Sequence, residues 1–76
     1  MKNDFQEEFR MLGLKISYYR KLQGMTQEML SEKLGYSNVS YIGGIEAPGV
    51  NRTISLNTLF KIAKALDIPP HKFLDF

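Results

Sequence analysis

Apolar residues recur along the first part of the chain at alternating steps of four and three positions. These residues are Phe5, Phe9, Leu12, Ile16 and Tyr19. The spacing puts all five on one face of an α-helix, and acids lead the segment while cations end it, as the helix dipole favours. The pattern predicts a helix over about residues 4–23, with Gly24 as its stop.

Two further helices are each preceded by a residue that suits a helix cap. Thr26 comes before a short apolar pattern that predicts a helix over about residues 27–34, and Gly35 follows that pattern. Ser55 comes before a longer pattern that predicts a helix over about residues 56–66. The apolar side of this longer helix consists of Leu56, Leu59, Ile62, Ala63 and Leu66.

Turn-forming residues separate these segments. Residues 47–54 have the composition of a turn and loop. The pair Pro69-Pro70 ends the longer helix and can open a final helical turn over about residues 70–75. A helix is therefore predicted before residues 36–46, and another is predicted after them, beyond the loop.

Residues 36–46 themselves allow two interpretations. Two adjacent glycines between Ile42 and Ile45 are typical of a two-residue hairpin turn, but the second arm would be too short for a stable hairpin. A helix over about residues 39–46 instead places both isoleucines on one face. We favour the helix, in which each glycine costs about 1 kcal/mol relative to Ala, so that packing must stabilise it.

Composition narrows the class of protein. The chain has 76 residues, of which 43% are hydrophobic and 24% charged, which is enough for one small soluble domain. It has no Cys, and His71 is its one His, so disulfides and thiolate metal sites are excluded. No stretch resembles a signal peptide or a membrane span, and we expect a cytoplasmic protein. The net charge of +2 does not by itself indicate nucleic acid.

No sequence pattern points to catalysis or to a bound cofactor. The chain carries no phosphate-binding loop and no cluster of metal-ligand residues, and a domain of this size offers no obvious cleft. We therefore expect that the protein is not an enzyme and needs no cofactor. No small-molecule ligand is evident either.

The order of these segments resembles the Cro/C1-type (XRE family) helix-turn-helix domain. The matching stretches are LGLKISYYRKLQGMTQEMLSEKLG, SYIGGIE and SLNTLFKIAKALDIPPHKF, which together cover about residues 12–74. The resemblance implies an all-α, compact five-helix, lambda-repressor-like fold, with residues 1–76 as a single helix-turn-helix domain. It also implies a transcriptional regulator that binds double-stranded DNA, usually as a two-fold homodimer, with the third helix in the major groove.

Several residues match positions that have defined roles in this family. Gln27 stands where a helix-opening glutamine touches the DNA backbone, Ser31 where a small residue lets two helices cross closely, and Gly35 at the turn. Arg20 and Glu46 match an ion pair that ties the first helix to the end of the recognition helix. The resemblance thus implies both DNA-contacting and purely structural positions.

The chain departs from the family at one place, where it has one residue more than the common spacing between Gly35 and Glu46, within YSNVS. The motif IGGIE is the better anchor for alignment because its isoleucines must reach the core. The base-facing positions are then Val39, Ser40, Tyr41 and Gly44. Anchored on Gly35 instead, they begin at Asn38.

Most of these residues suit DNA contact and also have a plainer structural role. Asn38 can read adenine in bidentate fashion, or it can cap the third helix, as can Ser37. Val39 can touch a thymine methyl group, and the hydroxyl of Ser40 fits several bases. Tyr41 can span base and phosphate or can pack half-buried, and the sequence does not separate these two roles.

The remaining DNA contacts are expected to go to the backbone. Gly43 and Gly44 have no side chain that binds a base. They either allow close approach to phosphates, give steric relief against a neighbouring helix or mark a frayed last turn. In each case specificity depends on the first turn of the helix and on DNA shape. Lys33 is more simply a solvated surface residue. The expected phosphate contacts are Gln27, Asn51, Arg52 and the amides near Thr53 and Ser55.

Two late aromatic residues, Phe73 and Phe76, are candidates for a homodimer contact, although completion of the monomer core suits Phe73 better. A second function also suits this fold, namely a protein-interaction module such as an antitoxin or adaptor. The weak net charge and the two bare glycines favour it. Salt-sensitive DNA retardation in a gel separates the two functions.

Overall fold

The computed structural model describes residues 5–47 and 53–76, and these residues form helices and connecting segments without a strand. Four α-helices are followed by one 3₁₀ helix. They are α1 (Gln6–Leu22), α2 (Gln27–Lys33), α3 (Ser40–Glu46), α4 (Leu56–Leu66) and the 3₁₀ helix (Pro70–Leu74). The predicted all-α class is confirmed, with one correction. The last helix is too short for an α-helical ladder and uses an i→i+3 bond, from Lys72 N–H to Pro69 O at 3.0 Å.

Both predicted caps are present because they are contacts within a single turn. The Thr26 hydroxyl accepts the Met29 N–H at 3.0 Å, and the Ser55 hydroxyl accepts the Thr58 N–H at 3.1 Å. Each such cap stabilises its helix by about 1 kcal/mol. At the other end of α4, Asp67 adopts the left-handed conformation (φ 57°). Glycine is the usual residue in this conformation, and Asp tolerates it better than most other residues.

Residues 40–46 form a helix and not a hairpin. Ile42 is fully buried and Ile45 nearly so, on the side of α3 that faces the rest of the protein. Full burial of such a side chain contributes about 1.5–3 kcal/mol. This is enough to offset the low helix propensity of the two glycines between them.

The core forms where the four α-helices and the 3₁₀ helix meet. Its members are Leu12, Ile16, Leu30, Ile42, Ile45, Leu59, Ile62, Ala63, Leu66 and Phe73. Two residues that were expected on the inner helix faces do not join it, since Phe5 is 61% exposed and Leu56 is 64% exposed. Both stand at the very start of their helices, where the helical face extends past the elements that cover it.

The prediction that Phe73 makes a dimer contact is wrong. Its side chain is fully buried, and its ring meets that of Tyr19 edge-to-face with 5.2 Å between centroids. The 3₁₀ helix therefore closes the core of the monomer with this residue. Phe76 remains half exposed beside a small hollow that Phe9 and Leu12 also line, so its role in a dimer stays a prediction.

None of the described helices combines the length and the apolar character needed to cross a membrane.

Candidate nucleic-acid interface

A tight turn joins α2 to α3 and sets the angle between them. Gly35 adopts φ +82°, a conformation that only glycine enters without strain. Two backbone bonds of 3.0 Å close the end of α2, from Gly35 N–H to Glu32 O and from Tyr36 N–H to Ser31 O. The predicted turn glycine is thus required by its backbone conformation.

The first turn of α3 is its accessible part. Val39 is 40% exposed, Ser40 is exposed and Tyr41 is half-buried. Asn38 is exposed too, but its Oδ1 accepts the Ser40 N–H at 2.9 Å. Of its two possible roles, the structure therefore shows the capping one. A bidentate contact to adenine needs Oδ1 as well as Nδ2, so Oδ1 would have to accept from the Ser40 N–H and from the base together.

The far end of α3 is anchored by a buried ion pair. Arg20 Nε lies 2.8 Å from Glu46 Oε2, and Arg20 Nη2 lies 2.9 Å from Glu46 Oε1. A third nitrogen of the guanidinium, Nη1, donates to Met25 O at 2.7 Å. Only 5% of Arg20 and 7% of Glu46 are exposed. The bidentate geometry gives this pair both strength and a fixed orientation.

Gln27 joins the same network. Its Nε2 donates to Glu46 Oε1 at 3.0 Å, so the first residue of α2 is bonded to the last residue of α3. Every buried side-chain nitrogen and oxygen in the described residues has a hydrogen-bond partner. Gln27, which was expected to touch the DNA backbone, thus uses one of the two N–H groups of its side-chain amide within the protein.

Gly13, which the sequence analysis did not single out, decides how closely α1 and α3 approach. A Cβ built on Gly13 would lie 2.2 Å from the carbonyl oxygen of Ile45, and real Cβ atoms essentially never come within 3.0 Å of such an atom. The missed signal was a glycine within a helical pattern, which usually has a packing reason.

Gly43 lies in a different environment. A Cβ added there would meet only the Gln27 Oε1, at an ordinary contact distance of 3.4 Å. Steric relief within the protein therefore does not explain this glycine. Gly44 is half-buried.

The remaining predicted contacts lie in the loop between α3 and α4. Thr53 is exposed just before α4. Asn51 and Arg52 lie outside the described residues. Within residues 5–47 and 53–76, no group of three or more His, Asp or Glu residues could hold a metal ion.

Comparison with known proteins agrees with this geometry. A helix-turn-helix family model (HTH_3) matches residues 16–73, which include α2, the turn and α3. The chain belongs to the Cro/C1-type helix-turn-helix family. This is a family of DNA-binding transcriptional regulators, and the protein is therefore assigned to DNA-binding transcriptional regulation.

Two solved helix-turn-helix structures are similar to this chain. The restriction-modification controller protein C.AhdI from Aeromonas hydrophila is 33% identical, with a TM-score of 0.78, and the match covers 88% of this chain and 97% of that one. The hypothetical transcription factor NHTF from Neisseria is 24% identical, with a TM-score of 0.79, over 97% of this chain and 82% of that one. The second likeness concerns the fold alone. Among curated protein sequences, none matches this chain.

Proposed function

We propose that the protein acts as a homodimer that binds a two-fold operator sequence-specifically in duplex DNA, with residues 1–76 as one domain. The observation that carries this proposal is the asymmetry of α3, whose last turn is locked to α1 and α2 while its first turn is exposed. A recognition helix needs such a rigid base and an accessible N-terminal end, because its first residues reach the base edges.

Within this proposal, the residues divide by the part of the DNA that they contact. Ser40, Tyr41 and Val39 face base edges with Gly44 beside them, while Gly43 allows close approach of the backbone. Asn38 contributes through Nδ2 and the second lone pair of Oδ1, while the first lone pair caps Ser40. Gln27 would contact a phosphate through the second N–H of its side-chain amide, since its bond to Glu46 uses only one of the two. The other proposed phosphate contacts are Asn51, Arg52 and the amide of Thr53.

Selection from a randomised duplex pool tests the function as a whole. The expected product is a palindromic consensus, whose half-sites are about one helical turn apart because each protomer of a two-fold dimer reads one half. Two results together would contradict the dimer. The protein would sediment as a monomer at the concentration that saturates the operator, and the selected pool would contain a single unpaired half-site. Failure to bind any duplex at low salt would instead favour the protein-interaction module.

The class of regulated genes can be narrowed by the relative with 33% identity. That relative is a restriction-modification controller protein, and we propose the same regulatory role for this chain. Selection of bound fragments from genomic DNA should then recover a promoter of restriction–modification genes. Enrichment of unrelated promoters only would contradict this role and leave DNA binding itself intact.

Base preference should relax when the first turn of α3 loses its polar side chains. We expect Ser40→Ala and Tyr41→Ala each to reduce discrimination between the selected operator and its single-base variants by about 1–3 kcal/mol. The measurement is a competition titration with a duplex set that varies one position at a time. Strict preference that survives both substitutions would show that these side chains do not read bases.

Arg52 should act on all DNA sequences equally. Removing one phosphate contact in Arg52→Ala is expected to weaken binding to operator and random duplex alike, and to flatten the salt slope by about one unit. Lys15→Ala is the matched control: it also removes one positive charge, but Lys15 lies two residues from Gly13 and so on the opposite side of α1 from the α3 contact. Equal slopes for the two variants would exclude a phosphate contact at Arg52.

A further inference from the structure

Two aromatic rings connect the turn to the recognition helix. Tyr36, in the turn, meets Tyr41, in the first turn of α3, edge-to-face, with 4.9 Å between ring centroids and 70° between ring planes. Such pairs contribute more than their buried area alone. The position of Tyr41 is therefore coupled to the position of the turn.

Ser31 reaches the same turn from α2. Its hydroxyl lies 3.4 Å from both Tyr36 O and Asn38 O. A single proton shared between two acceptors accounts for distances longer than the about 2.7–2.8 Å of a strong hydroxyl bond. Ser31 is only 2% exposed, so its hydroxyl belongs to the interior face of the turn.

Asn38 links the Ser31 hydroxyl to the start of α3. Its carbonyl, which faces the Ser31 hydroxyl, also accepts the Tyr41 N–H at 3.4 Å, and its side chain caps Ser40. The turn also borders an open hollow of about 390 Å³, which Ser31, Tyr36 and Asn38 line together with Glu28 and Glu32 of α2. These contacts thus join α2, the turn and the start of α3.

We propose that Ser31 and Tyr36 are positioning residues for base recognition. Together with Tyr41 they form a turn clasp, defined as the Tyr36–Tyr41 ring pair plus the Ser31 hydroxyl on the two turn carbonyls. The clasp sets the angle and register of the first turn of α3. This inference rests on the proposed DNA-binding function, and it gives specificity to residues that need not touch a base.

The test compares Tyr36→Leu, Tyr36→Phe and Ser31→Ala with the unmodified protein on the selected operator and on a random duplex, each over a range of salt concentrations. Tyr36→Leu should lower the ratio of operator to random affinity about 3- to 10-fold, the range expected for losing an edge-to-face ring pair. Ser31→Ala should lower it about 3-fold. Random-duplex affinity and its salt slope should stay unchanged, because no phosphate contact is removed.

Tyr36→Phe is the matched control because it keeps the ring and loses only the hydroxyl. It should retain the ratio of the unmodified protein. A loss as large as that of Tyr36→Leu would mean that the hydroxyl itself binds DNA, which would overturn the positioning role. So would equal losses on both duplexes, or an unchanged ratio in Tyr36→Leu.

The outcomes separate the inference from the function on which it rests. If the unmodified protein binds no duplex at low salt, the proposed function fails. If it selects an operator and the variants keep the same ratio, only the turn clasp fails. Should circular dichroism show that Tyr36→Leu does not fold, Ser31→Ala decides the matter by the same ratio, since it removes one oxygen from a site that tolerates a small residue.

Discussion

Replacing Gly13 by Ala is expected to destabilise the protein by about 3 kcal/mol. The added methyl group would lie 2.2 Å from the Ile45 carbonyl oxygen, which is backbone and cannot rotate away. Relief requires α1 and α3 to separate by most of an ångström, and this would loosen the core around Ile16 and Ile42, both fully buried. Thermal unfolding followed by circular dichroism should show a melting temperature about 12–24 °C lower.

Gly43→Ala is the matched control for that experiment. It makes the same chemical change inside a helix, but the new Cβ meets only the flexible side chain of Gln27 at an ordinary distance. Since Ala has the better helix propensity, we expect Gly43→Ala to be neutral or stabilising by up to about 1 kcal/mol. If Gly13→Ala melts at the same temperature as Gly43→Ala, the close approach of α1 and α3 does not exist in solution.

Replacing Glu46 by Gln should be destabilising to a similar degree, by about 3–5 kcal/mol. The substitution keeps the shape of the side chain and removes the charge, so the Arg20 guanidinium, 5% exposed, is left without a counter-ion. The same change disturbs the oxygen that accepts from Gln27 Nε2. Denaturant unfolding at neutral pH measures the loss, and operator affinity should fall with it because α3 loses its anchor.

Glu7→Gln provides the comparison on an exposed ion pair. Glu7 accepts a hydrogen bond from Arg10, which lowers the pKa of the Glu7 carboxyl, but its side chain is 65% exposed. Solvent screens such pairs, so this variant should melt almost where the unmodified protein does. An equally small effect of Glu46→Gln would show that the Arg20–Glu46 pair is not buried in solution.

A double variant distinguishes the two energetic roles of the buried pair. Replacing both partners by apolar residues of similar size, as in Arg20→Met with Glu46→Leu, removes the charges together with their desolvation cost. Such replacements are often neutral or stabilising. We therefore expect the double variant to recover most of the stability that Glu46→Gln loses. Its DNA affinity reports separately on whether the bidentate geometry is needed to orient α3.

The sequence alone predicted the features that depend on neighbours within one helical turn. Thr26 and Ser55 were recognised as caps because a cap is formed by a side chain and a backbone N–H three residues later. Gly35 was recognised because it directly follows the apolar pattern of α2, where a glycine commonly ends a helix. The spacing of Ile42 and Ile45 was also sufficient to favour a helix over a hairpin.

The tertiary structure decided which residues are buried, because burial depends on which helix packs against each residue. No periodicity distinguishes Phe73, which closes the core, from Phe76, which stays half exposed. Leu56 has the right spacing for burial, but nothing covers it enough to exclude solvent. From the sequence, Gly13 only lowers the helix propensity of α1. Its packing role is visible once the backbone of α3 is placed against it, because a missing Cβ matters only where another backbone comes close.

The chain's local chemistry therefore determined its helices, their caps and the inward face of α3. Only the packed structure determined that Gln27 bonds to Glu46, and that Tyr36 and Ser31 brace the turn. The reason is range. Backbone propensities and caps act over three or four residues, whereas these contacts join side chains whose partners are chosen by how the helices pack.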